Sequence, residues 1–331
     1  MASKRQEMSK ALAEVSLGVG AIKLNSDNPF RWASGFFMPI YNDNRMLLGK
    51  HKHRMLVVEG FKAILEEIGI AKDSLNFIAG TSTAGIAPAA SLAQALGKEL
   101  TIIQNKKVYR ANCISVSSEE FDSSLAEVDL IASTCPWAIP CGVYLANAKE
   151  RPFAYVRQNE KKHGLKQQVE GIILLGESAY LIDFHRGESY LDSAMEALQK
   201  KGIRKINAFS KDLSHLIHPS SVAGEKGILI EDSVSKGKSS VKELNFYKAQ
   251  GAKINYCLSI FNYRLNEAAN QFRVAGCNAE SILNYETLLE AAKKRGYVNT
   301  AQIKMLEEWR EAPFEWGARH GFPPEEKKRG M

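Results

Sequence analysis

Short apolar runs alternate with amphipathic stretches along the first part of this chain. Residues 55–69 repeat apolar side chains at helical spacing and stop at Gly69, which is typical of an amphipathic helix. Residues 76–79 predict a short strand, and a Gly-Thr-Ser-Thr-Ala-Gly turn leads from it into an alanine-rich helix that ends near Leu96. Strand, turn and helix then recur. The pattern therefore predicts an α/β fold with a largely parallel sheet and with ligands at the carboxyl ends of its strands.

A strand–helix–strand pattern occurs twice, at an offset of 53 residues. Residues 76–93 align with 129–146, and the register continues from 100–103 to 153–156. The identical pairs are Ile78/Ile131, Ala79/Ala132, Thr81/Thr134, Ile86/Ile139, Leu92/Leu145 and Ala93/Ala146. We interpret this as a duplication, or as insertions that enlarge one core by about a hundred residues. A weaker echo pairs 181–202 with 230–251, aligning Asp183 with Asp232; we interpret it as the general likeness of strand-turn-helix units.

The most informative motif lies within residues 227–241. A short apolar run ends in Glu231 and Asp232, small residues and Gly237 follow, and a helical pattern begins at Ser239. This order predicts a buried strand, an acidic tip, a phosphate-sized loop and a helix N-terminus. The acids suit ribose hydroxyls, directly or through hydrated Mg²⁺, and the loop N–H groups suit a 5′-phosphate. A P-loop is excluded, because it requires glycine at the position of Asp232.

Composition and charge narrow the class of protein. The 331 residues carry a net charge of +7 and are 45% apolar, which is ordinary for a globular protein. No apolar run has the length of a membrane span, and no apolar signal core follows the first residues. The five cysteines form no Cys-x-x-Cys pair, and the basic residues are scattered. We therefore expect a cytoplasmic protein with reduced thiols that binds neither membranes nor nucleic acid.

Together with three further segments, the acid motif resembles the type I phosphoribosyltransferases, and among them the orotate phosphoribosyltransferases. Residues 155–171 resemble the flexible catalytic loop of that family, and residues 28–45 resemble its N-terminal substrate-covering segment. Residues 296–313 resemble the C-terminal helix of some bacterial members. The motifs occur in the family's order and touch most of the chain.

The resemblance implies a type I phosphoribosyltransferase-like α/β fold with a central, mostly parallel sheet flanked by helices. We expect an N-terminal helix and substrate-covering hood over residues 1–70, a core over 71–262 with insertions near 104–128 and 172–226, and a C-terminal helical region over 263–331. The implied reaction transfers a phosphoribosyl group from phosphoribosyl pyrophosphate (PRPP) to orotate, giving orotidine 5′-phosphate and pyrophosphate in pyrimidine biosynthesis. The implied cofactor is Mg²⁺ without a direct protein ligand. The implied assembly is a homodimer in which the catalytic loop reaches the neighbour's site.

The same resemblance assigns roles to individual residues. Those in the catalytic loop are Arg157, Lys161 and His163. Those that bind PRPP are Gln158, Glu231, Asp232, Ser233, Val234, Ser235, Lys236, Gly237, Lys238 and Ser239. Those that bind orotate are Tyr41, Asn42, Asp43, Arg45 and Ser235. From the residues themselves, we also expect the rings of Phe36 and Phe37 to cover the base and exclude water. Residues 158–168 are expected to form a mobile lid, because little in them is apolar.

The pyrophosphate requires a tight turn of backbone donors after a strand, and the repeat supplies two candidates. The first consists of Thr81, Ser82, Thr83, Ala84 and Gly85, and the second spans residues 134–138. Small side chains and Gly85 favour the first as a phosphate nest. In the second, Pro136 removes a donor and Trp137 adds bulk, although its place just before the catalytic-loop strand matches the family's order.

Departures from the family pattern leave alternatives open. Lys162 stands where the family's loop usually has an aspartate, and Phe37 and Met38 replace a basic–polar pair. A phosphoribosyltransferase for another nucleobase, or a non-catalytic ligand sensor on the same fold, would also carry the acid motif.

Overall fold

The computed structural model describes residues 2–32, 34–112, 125, 128–134, 136–157, 168–171, 178–184, 190–211 and 216–323. The N-terminal part consists of two helices with short strands between them. These are α1 (Lys4–Gly18), β1 (Ile22–Leu24), β2 (Phe30–Arg31), β3 (Phe37–Met38), β4 (Ile40–Asn42), a 3₁₀ turn (Asn44–Gly49) and α2 (His51–Glu67). Strand β1 pairs with β4 and β2 with β3, both antiparallel, so the segment folds back on itself as two small hairpins.

The first α/β stretch follows a second 3₁₀ turn, Lys72–Ser74. It consists of β5 (Phe77–Gly80), α3 (Ile86–Leu96), β6 (Glu99–Gln104) and β7 (Lys107–Ala111). A two-residue turn joins β6 to β7, and its residues Asn105 and Lys106 have φ values of 50° and 58°. This tight turn makes β6 and β7 an antiparallel hairpin at the end of otherwise parallel strands.

A second α/β stretch repeats the plan of the first. It consists of β8 (Leu130–Ser133), α4 (Ile139–Ala148), β9 (Phe153–Val156), β10 (Val169–Glu170), β11 (Ser178–Phe184), α5 (Leu191–Gln199) and β12 (Lys205–Lys211). Its strands form a five-stranded sheet in the order β10-β9-β8-β11-β12. All of its described pairs are parallel except β9 with β10. We call residues 130–211 unit 2.

The chain then returns to the first sheet. The remaining elements are β13 (Ile217–Pro219), β14 (Lys226–Val234), α6 (Lys238–Ala249), β15 (Lys253–Asn262), α7 (Asn266–Val274), β16 (Asn278–Asn284), α8 (Tyr285–Lys294), α9 (Thr300–Glu311) and α10 (Trp316–Arg319). The seven-stranded sheet has the order β13-β7-β6-β5-β14-β15-β16, and β6, β5, β14, β15 and β16 are parallel. We call residues 77–111 and 217–284 unit 1. The predicted class, α/β with a mostly parallel sheet flanked by helices, is confirmed.

The two units correspond element by element. Strands β5 and β8, like helices α3 and α4, begin 53 residues apart. The N–H of Thr81 donates to the Ile230 carbonyl at 3.0 Å, and the N–H of Thr134 donates to the Ile182 carbonyl at 3.1 Å. Ile182 therefore corresponds to Ile230. Asp183 then corresponds to Glu231 and not, as the weaker sequence echo suggested, to Asp232.

The ends of α5 and α6 also correspond. Gly202 and Gly251 both follow these helices with φ values of 94° and 86°. The weaker echo thus marks equivalent elements, and interpreting it as general likeness was wrong. Both stretches predicted as insertions contribute strands: β7 lies in the first, and β11, β12 and β13 lie in the second. The domain bounds themselves stay a prediction.

Candidate active site

A cleft of about 790 Å³ lies at the carboxyl ends of β5 and β14 in unit 1. Parallel sheets bind ligands at this edge, because loops and helix N-termini converge there. Most of the lining residues come from four segments that the sequence analysis singled out, namely the hood, the first pyrophosphate turn, the catalytic loop and the acid motif with its loop. The lining residues are Arg31, Trp32, Ser34, Tyr41, Asn42, Arg45, Ser82, Thr83, Ala84, Arg157, Glu231, Asp232, Ser233, Ser235, Lys236, Gly237, Lys238, Ser239, Ser240, Tyr263 and Phe314.

The acid pair terminates the buried part of β14. Glu231 is 7% exposed, and its carboxylate accepts hydrogen bonds from Ser240 Oγ at 2.7 Å and from the Asp232 N–H at 2.9 Å. Burial, and then the adjacent charge of Asp232, raise the pKa of Glu231 well above its usual range. Burial also raises the pKa of Asp232. The cleft therefore contains two carboxylates that a ligand with hydroxyl donors or a hydrated cation would stabilise in their charged forms.

The loop after the acid pair leads directly into α6. Gly237 occupies the N-cap position with a φ of 75°, a left-handed conformation that favours glycine. A Cβ on Gly237 would also lie 3.2 Å from Phe272 Cε2. Ser235 and Ser239 flank this turn, and the helix N-terminus behind it attracts anions through its unpaired N–H groups.

Two lysines of this loop share an acidic partner. Lys236 and Lys238 lie 3.7 Å and 3.1 Å from carboxylate oxygens of Glu267, at the start of α7. Lys236 Nζ also lies 3.6 Å from the centre of the Phe314 ring, within cation–π distance. Val234, in contrast, is 1% exposed and does not line the cleft. Of the predicted PRPP-binding residues in 231–239, Val234 therefore serves the core.

Of the two candidate pyrophosphate turns, the first lies at the cleft. Ser82, Thr83 and Ala84 line it, flanked by Thr81 and Gly85. A Cβ on Gly85 would clash with Thr81 Oγ1 and the Ile230 carbonyl oxygen, so the turn requires glycine there. The peptide bond between Ser82 and Thr83 is cis.

The first turn is held in place by hydrogen bonds of Ser82. Its N–H lies 3.0 Å and 3.2 Å from the Glu243 carboxylate oxygens, and its Oγ donates to the Ile103 carbonyl at 2.9 Å. Burial raises the pKa of Glu243 to about 7. Glu243 thus supports the turn from helix α6.

The second turn lies in unit 2 and is not part of the cleft lining. Thr134 Oγ1 donates a hydrogen bond to the buried Asp183 carboxylate. Trp137 packs edge-on against Tyr109 of unit 1, with ring centres 4.4 Å apart. This turn is therefore engaged in packing between and within the units.

A buried ion network joins the N-terminal hood to unit 2. Glu170 is 2% exposed, and its Oε1 accepts hydrogen bonds from Arg45 Nη1 and from Arg157 Nε, both at 2.6 Å. Arg45 Nε donates to Asp43, and Arg157 Nη2 donates to Tyr155 Oη at 2.9 Å. Burial alone would lower the pKa of Arg45, but the hydrogen bond that it donates to Asp43 and the charges of Asp43 and Glu170 raise it. Arg45 is thus permanently charged beside the cleft, and Asp43 binds Arg45 and is not among the lining residues.

The hood carries polar groups that fit a planar ligand. Neither amide atom of Asn42 is exposed, and neither has a hydrogen-bond partner among the described residues. Because a buried unpaired amide is costly, its place in the cleft lining favours a ligand with matching donors and acceptors. Asn44 Nδ2 donates to the Asp232 carbonyl at 2.7 Å and fixes the hood to β14.

The aromatic residues of the cleft differ from those predicted. Phe36 packs against Phe314 and Phe37 against Phe322, with ring centres 5.4 Å and 6.0 Å apart, and neither Phe36 nor Phe37 lines the cleft. Their assignment to the base was therefore wrong, because the C-terminal region takes up both rings. Trp32 and Tyr263, 5.4 Å apart and edge-on, line the cleft instead.

Sequence reasoning also missed other lining residues. These are Arg31, Tyr263 and Phe314. One signal could have found Tyr263: it follows β15, the parallel neighbour of β14, and so ends at the same edge of the sheet. Gln158, Lys161, Lys162 and His163, and with them most of the predicted lid, lie outside the described residues.

Two searches of the described part of the chain gave negative results. None of its helices combines the length and apolar character that a membrane crossing requires. It also contains no group of three or more His, Cys, Asp or Glu side chains arranged to hold a metal ion. The oxygen donors of Glu231 and Asp232 nevertheless fit a hydrated Mg²⁺ that reaches the cleft with a phosphorylated ligand.

Comparisons with known proteins agree with the motifs. No family model matches the chain. A protein of Phocaeicola vulgatus named orotate phosphoribosyltransferase is 25% identical over 312 residues, which cover 94% of this chain and 98% of that protein. A protein of Coxiella burnetii with the same name is 23% identical over 305 residues, which cover 92% of this chain and 96% of that protein.

Among solved structures, the orotate phosphoribosyltransferase of Francisella tularensis matches 90% of this chain and 96% of its own. The TM-score of this match is 0.45 at 12% sequence identity. The sequence likeness, in contrast, runs through the hood, both units and the C-terminal helices. The resemblance that the motifs predicted, to the orotate phosphoribosyltransferases of the type I family, is thereby confirmed.

Proposed function

We propose that this chain is an orotate phosphoribosyltransferase, which transfers the phosphoribosyl group of PRPP to orotate. One observation carries the proposal: the acid pair, the Ser/Gly loop, the turn at Ser82 and the hood all line a single cleft with Arg157. These groups match the parts of PRPP in turn, namely ribose hydroxyls, 5′-phosphate and pyrophosphate. The sequence likeness to proteins named for this activity supports the same conclusion.

The reaction exchanges one bond at C1 of the ribose. The bond between C1 and the pyrophosphate oxygen breaks, and its electron pair leaves with pyrophosphate. N1 of orotate, which has given up its proton, forms the new bond to C1. Positive charge develops on the ribose ring in between, so the site must orient both reactants, exclude water and stabilise the leaving anion.

The residues of this chain divide that task. Asp232 and Glu231 accept hydrogen bonds from the ribose hydroxyls, and the N–H groups at the start of α6 hold the 5′-phosphate. Thr83 and Ala84 hold pyrophosphate through their backbone N–H groups, in a turn that Ser82 fixes through Glu243 and Ile103, with Arg157 as the neighbouring cation. Bound Mg²⁺ would offset the donor's negative charge. Lys161 and His163 are predicted to approach the pyrophosphate from the same hairpin as Arg157.

The acceptor base lies beneath the hood in this proposal. Asn42 offers an amide for in-plane hydrogen bonds, Arg45 supplies the cation, and Tyr41 and Ser235 complete the polar edge. Trp32 and Tyr263 offer aromatic surface to the base. From the resemblance, we also expect a cytoplasmic homodimer that acts in pyrimidine biosynthesis.

A screen of base substrates, scored by pyrophosphate release from PRPP and Mg²⁺, tests the proposal. Orotate should be used at least about 100-fold faster than uracil, because uracil leaves the cation at Arg45 without its carboxylate partner. Equal use of uracil would show that the enzyme serves another base. That alternative has support in the structure, since Asp43 and Glu170 already offset the charge of Arg45. Binding of PRPP without turnover of any base would instead identify a ligand sensor.

A further inference from the structure

The two units pack against each other with approximate two-fold symmetry. Helices α3 and α4 correspond at an offset of 53, so Ser91 is equivalent to Tyr144 and Gln94 to Asn147. Asn147 Nδ2 donates to Ser91 Oγ at 3.1 Å, and Gln94 Nε2 donates to the Tyr144 carbonyl at 3.3 Å. The equivalent residues Gln94 and Asn147 also bind each other, at 3.0 Å. Reciprocal contacts of this kind define an isologous interface, the arrangement of a symmetric dimer, here within one chain.

A buried cation reinforces this interface from the N-terminal part. Arg54 is 2% exposed, and its Nε donates to Asn147 Oδ1 at 2.7 Å. Its two Nη atoms donate to the carbonyls of Leu48 and Arg151 at 2.6 Å and 2.7 Å. Burial lowers the pKa of Arg54 to about 10. Because its hydrogen bonds join the N-terminal part to unit 2, this buried guanidinium fixes the placement of these two parts relative to each other.

The two units differ in the length of the connection between their second and third strands. In unit 1, β6 and β7 are joined by only the two residues Asn105 and Lys106. In unit 2, twelve residues from Arg157 to Gln168 separate the equivalent strands β9 and β10. The connection between the equivalent strands is therefore ten residues longer in unit 2 than in unit 1.

The units also differ at the strand that carries the acids, and there the residues that line the cleft belong to unit 1. In unit 1, β14 leads into Glu231, Asp232 and a loop that lines the cleft. In unit 2, the residue equivalent to Glu231 is Asp183, which is 2% exposed and accepts a hydrogen bond from Thr134. Phe184 stands at the place of Asp232. Unit 2 thus lacks the second acid at this strand, and its first acid is engaged within the unit.

The acid motif of unit 1 and Arg157 of unit 2 lie at the same cleft. Arg157, the first residue after β9 of unit 2, lines the cleft of unit 1. Glu170 on β10 holds it there and at the same time holds Arg45 of the hood. We propose that the active site is composite and complete within one chain, with the ligand cleft supplied by unit 1 and Arg157 supplied by unit 2. This inference rests on the proposed function, but it differs from the loop exchange between chains that the family resemblance implies.

A complementation experiment decides between the two arrangements. Chains with Asp232→Asn and chains with Arg157→Ala are co-expressed with different affinity tags, and species that carry both tags are isolated. Each variant alone should lose at least about 100-fold in turnover, because each removes a charged contact of the donor. The matched control is Asp73→Asn, in an exposed turn far from the cleft.

A site completed within one chain predicts that the doubly tagged species is no faster than the separate variants. Failure to isolate a doubly tagged species, with an active wild type, supports the same arrangement, because a lone chain then suffices. A hairpin exchanged between chains instead predicts one intact site in each mixed dimer, and thus about half of the wild-type turnover. That recovery would overturn the inference.

The same species are titrated with PRPP and Mg²⁺ by calorimetry. In the arrangement proposed here, none of the sites in the mixed species binds PRPP with wild-type affinity. In the exchanged arrangement, half of them do. A wild type that turns over no base would refute the proposed function, whereas the titration would still decide where the hairpin acts.

Discussion

Units 1 and 2 share strand order, helix placement and the hydrogen bond that closes their first turn, yet the ligand cleft described above lies at the end of the unit 1 sheet. The difference lies in a few positions. Unit 1 has Gly85 and Asp232 where unit 2 has Ala138 and Phe184. The comparison shows that the α/β scaffold positions strand ends, while the residues that follow them decide whether the edge binds an anion or packs against a neighbour.

The largest expected difference concerns the acids. Replacing Glu231 and Asp232 with Gln and Asn should weaken PRPP binding at least about 1,000-fold, because two hydrogen-bonding carboxylates at the ribose are lost. The equivalent change in unit 2, Asp183→Asn, should leave PRPP affinity within about twofold and lower the free energy of unfolding by about 1–3 kcal/mol. Calorimetry and denaturant unfolding separate the two effects. Loss of PRPP binding in Asp183→Asn would show that the acid of unit 2 also holds the donor.

Substitutions at two glycines with positive φ distinguish the effect of backbone strain on stability from an effect on ligand binding. Gly237→Ala introduces a Cβ close to Phe272 at the phosphate loop, so PRPP affinity should fall about 10- to 100-fold. Gly202→Ala meets no atom within 4 Å and should reduce stability alone, by about 1 kcal/mol. Equal PRPP affinity of both variants would mean that the loop at Gly237 does not hold the phosphate.

The two units place glycine on opposite sides of the contact between their first strand and first helix. Unit 1 pairs Gly80 with Ala89, and unit 2 pairs the equivalent Ser133 with Gly142. A Cβ on Gly142 would clash with Ser133 Oγ. Gly142→Ala should therefore cost about 1–3 kcal/mol in free energy of unfolding, and Ser133→Gly in the same chain should recover at least half of that cost. Additive losses in the double variant would refute the compensation.

The smallest expected effect is a pH dependence at the first turn. Because the pKa of Glu243 is raised to about 7, the folded state binds a proton more tightly than the unfolded chain. Its contribution to stability is present below the unfolded pKa and is lost as the pH rises towards 7. Glu243→Gln should flatten the dependence of the melting temperature on pH between about 4.5 and 7. If the pH dependence of the melting temperature were unchanged in this variant, other groups would cause it. The control is Glu196→Gln, at an exposed position of α5.

Much of this arrangement could be predicted from the sequence, because local patterns determine it. The run before Glu231 is a buried strand, Gly237 lies in the turn before a helix, and the 53-residue repeat marks equivalent elements. The network of Arg45, Glu170 and Arg157 could not be predicted, since Arg45 lies more than a hundred residues away from the other two in the sequence. The rings of Phe36 and Phe37 were misplaced for the same reason, because their partners Phe314 and Phe322 come from the far end of the chain.

The stoichiometry of PRPP binding tests the central claim most directly. Wild-type protein is titrated with PRPP in the presence of Mg²⁺ by calorimetry, alongside Asp232→Asn and Asp183→Asn. If the acid pair of unit 1 holds the donor and Asp183 of unit 2 does not, one PRPP binds per chain, Asp232→Asn abolishes that binding and Asp183→Asn preserves it. Two PRPP molecules per chain, or binding that survives Asp232→Asn, would contradict the account.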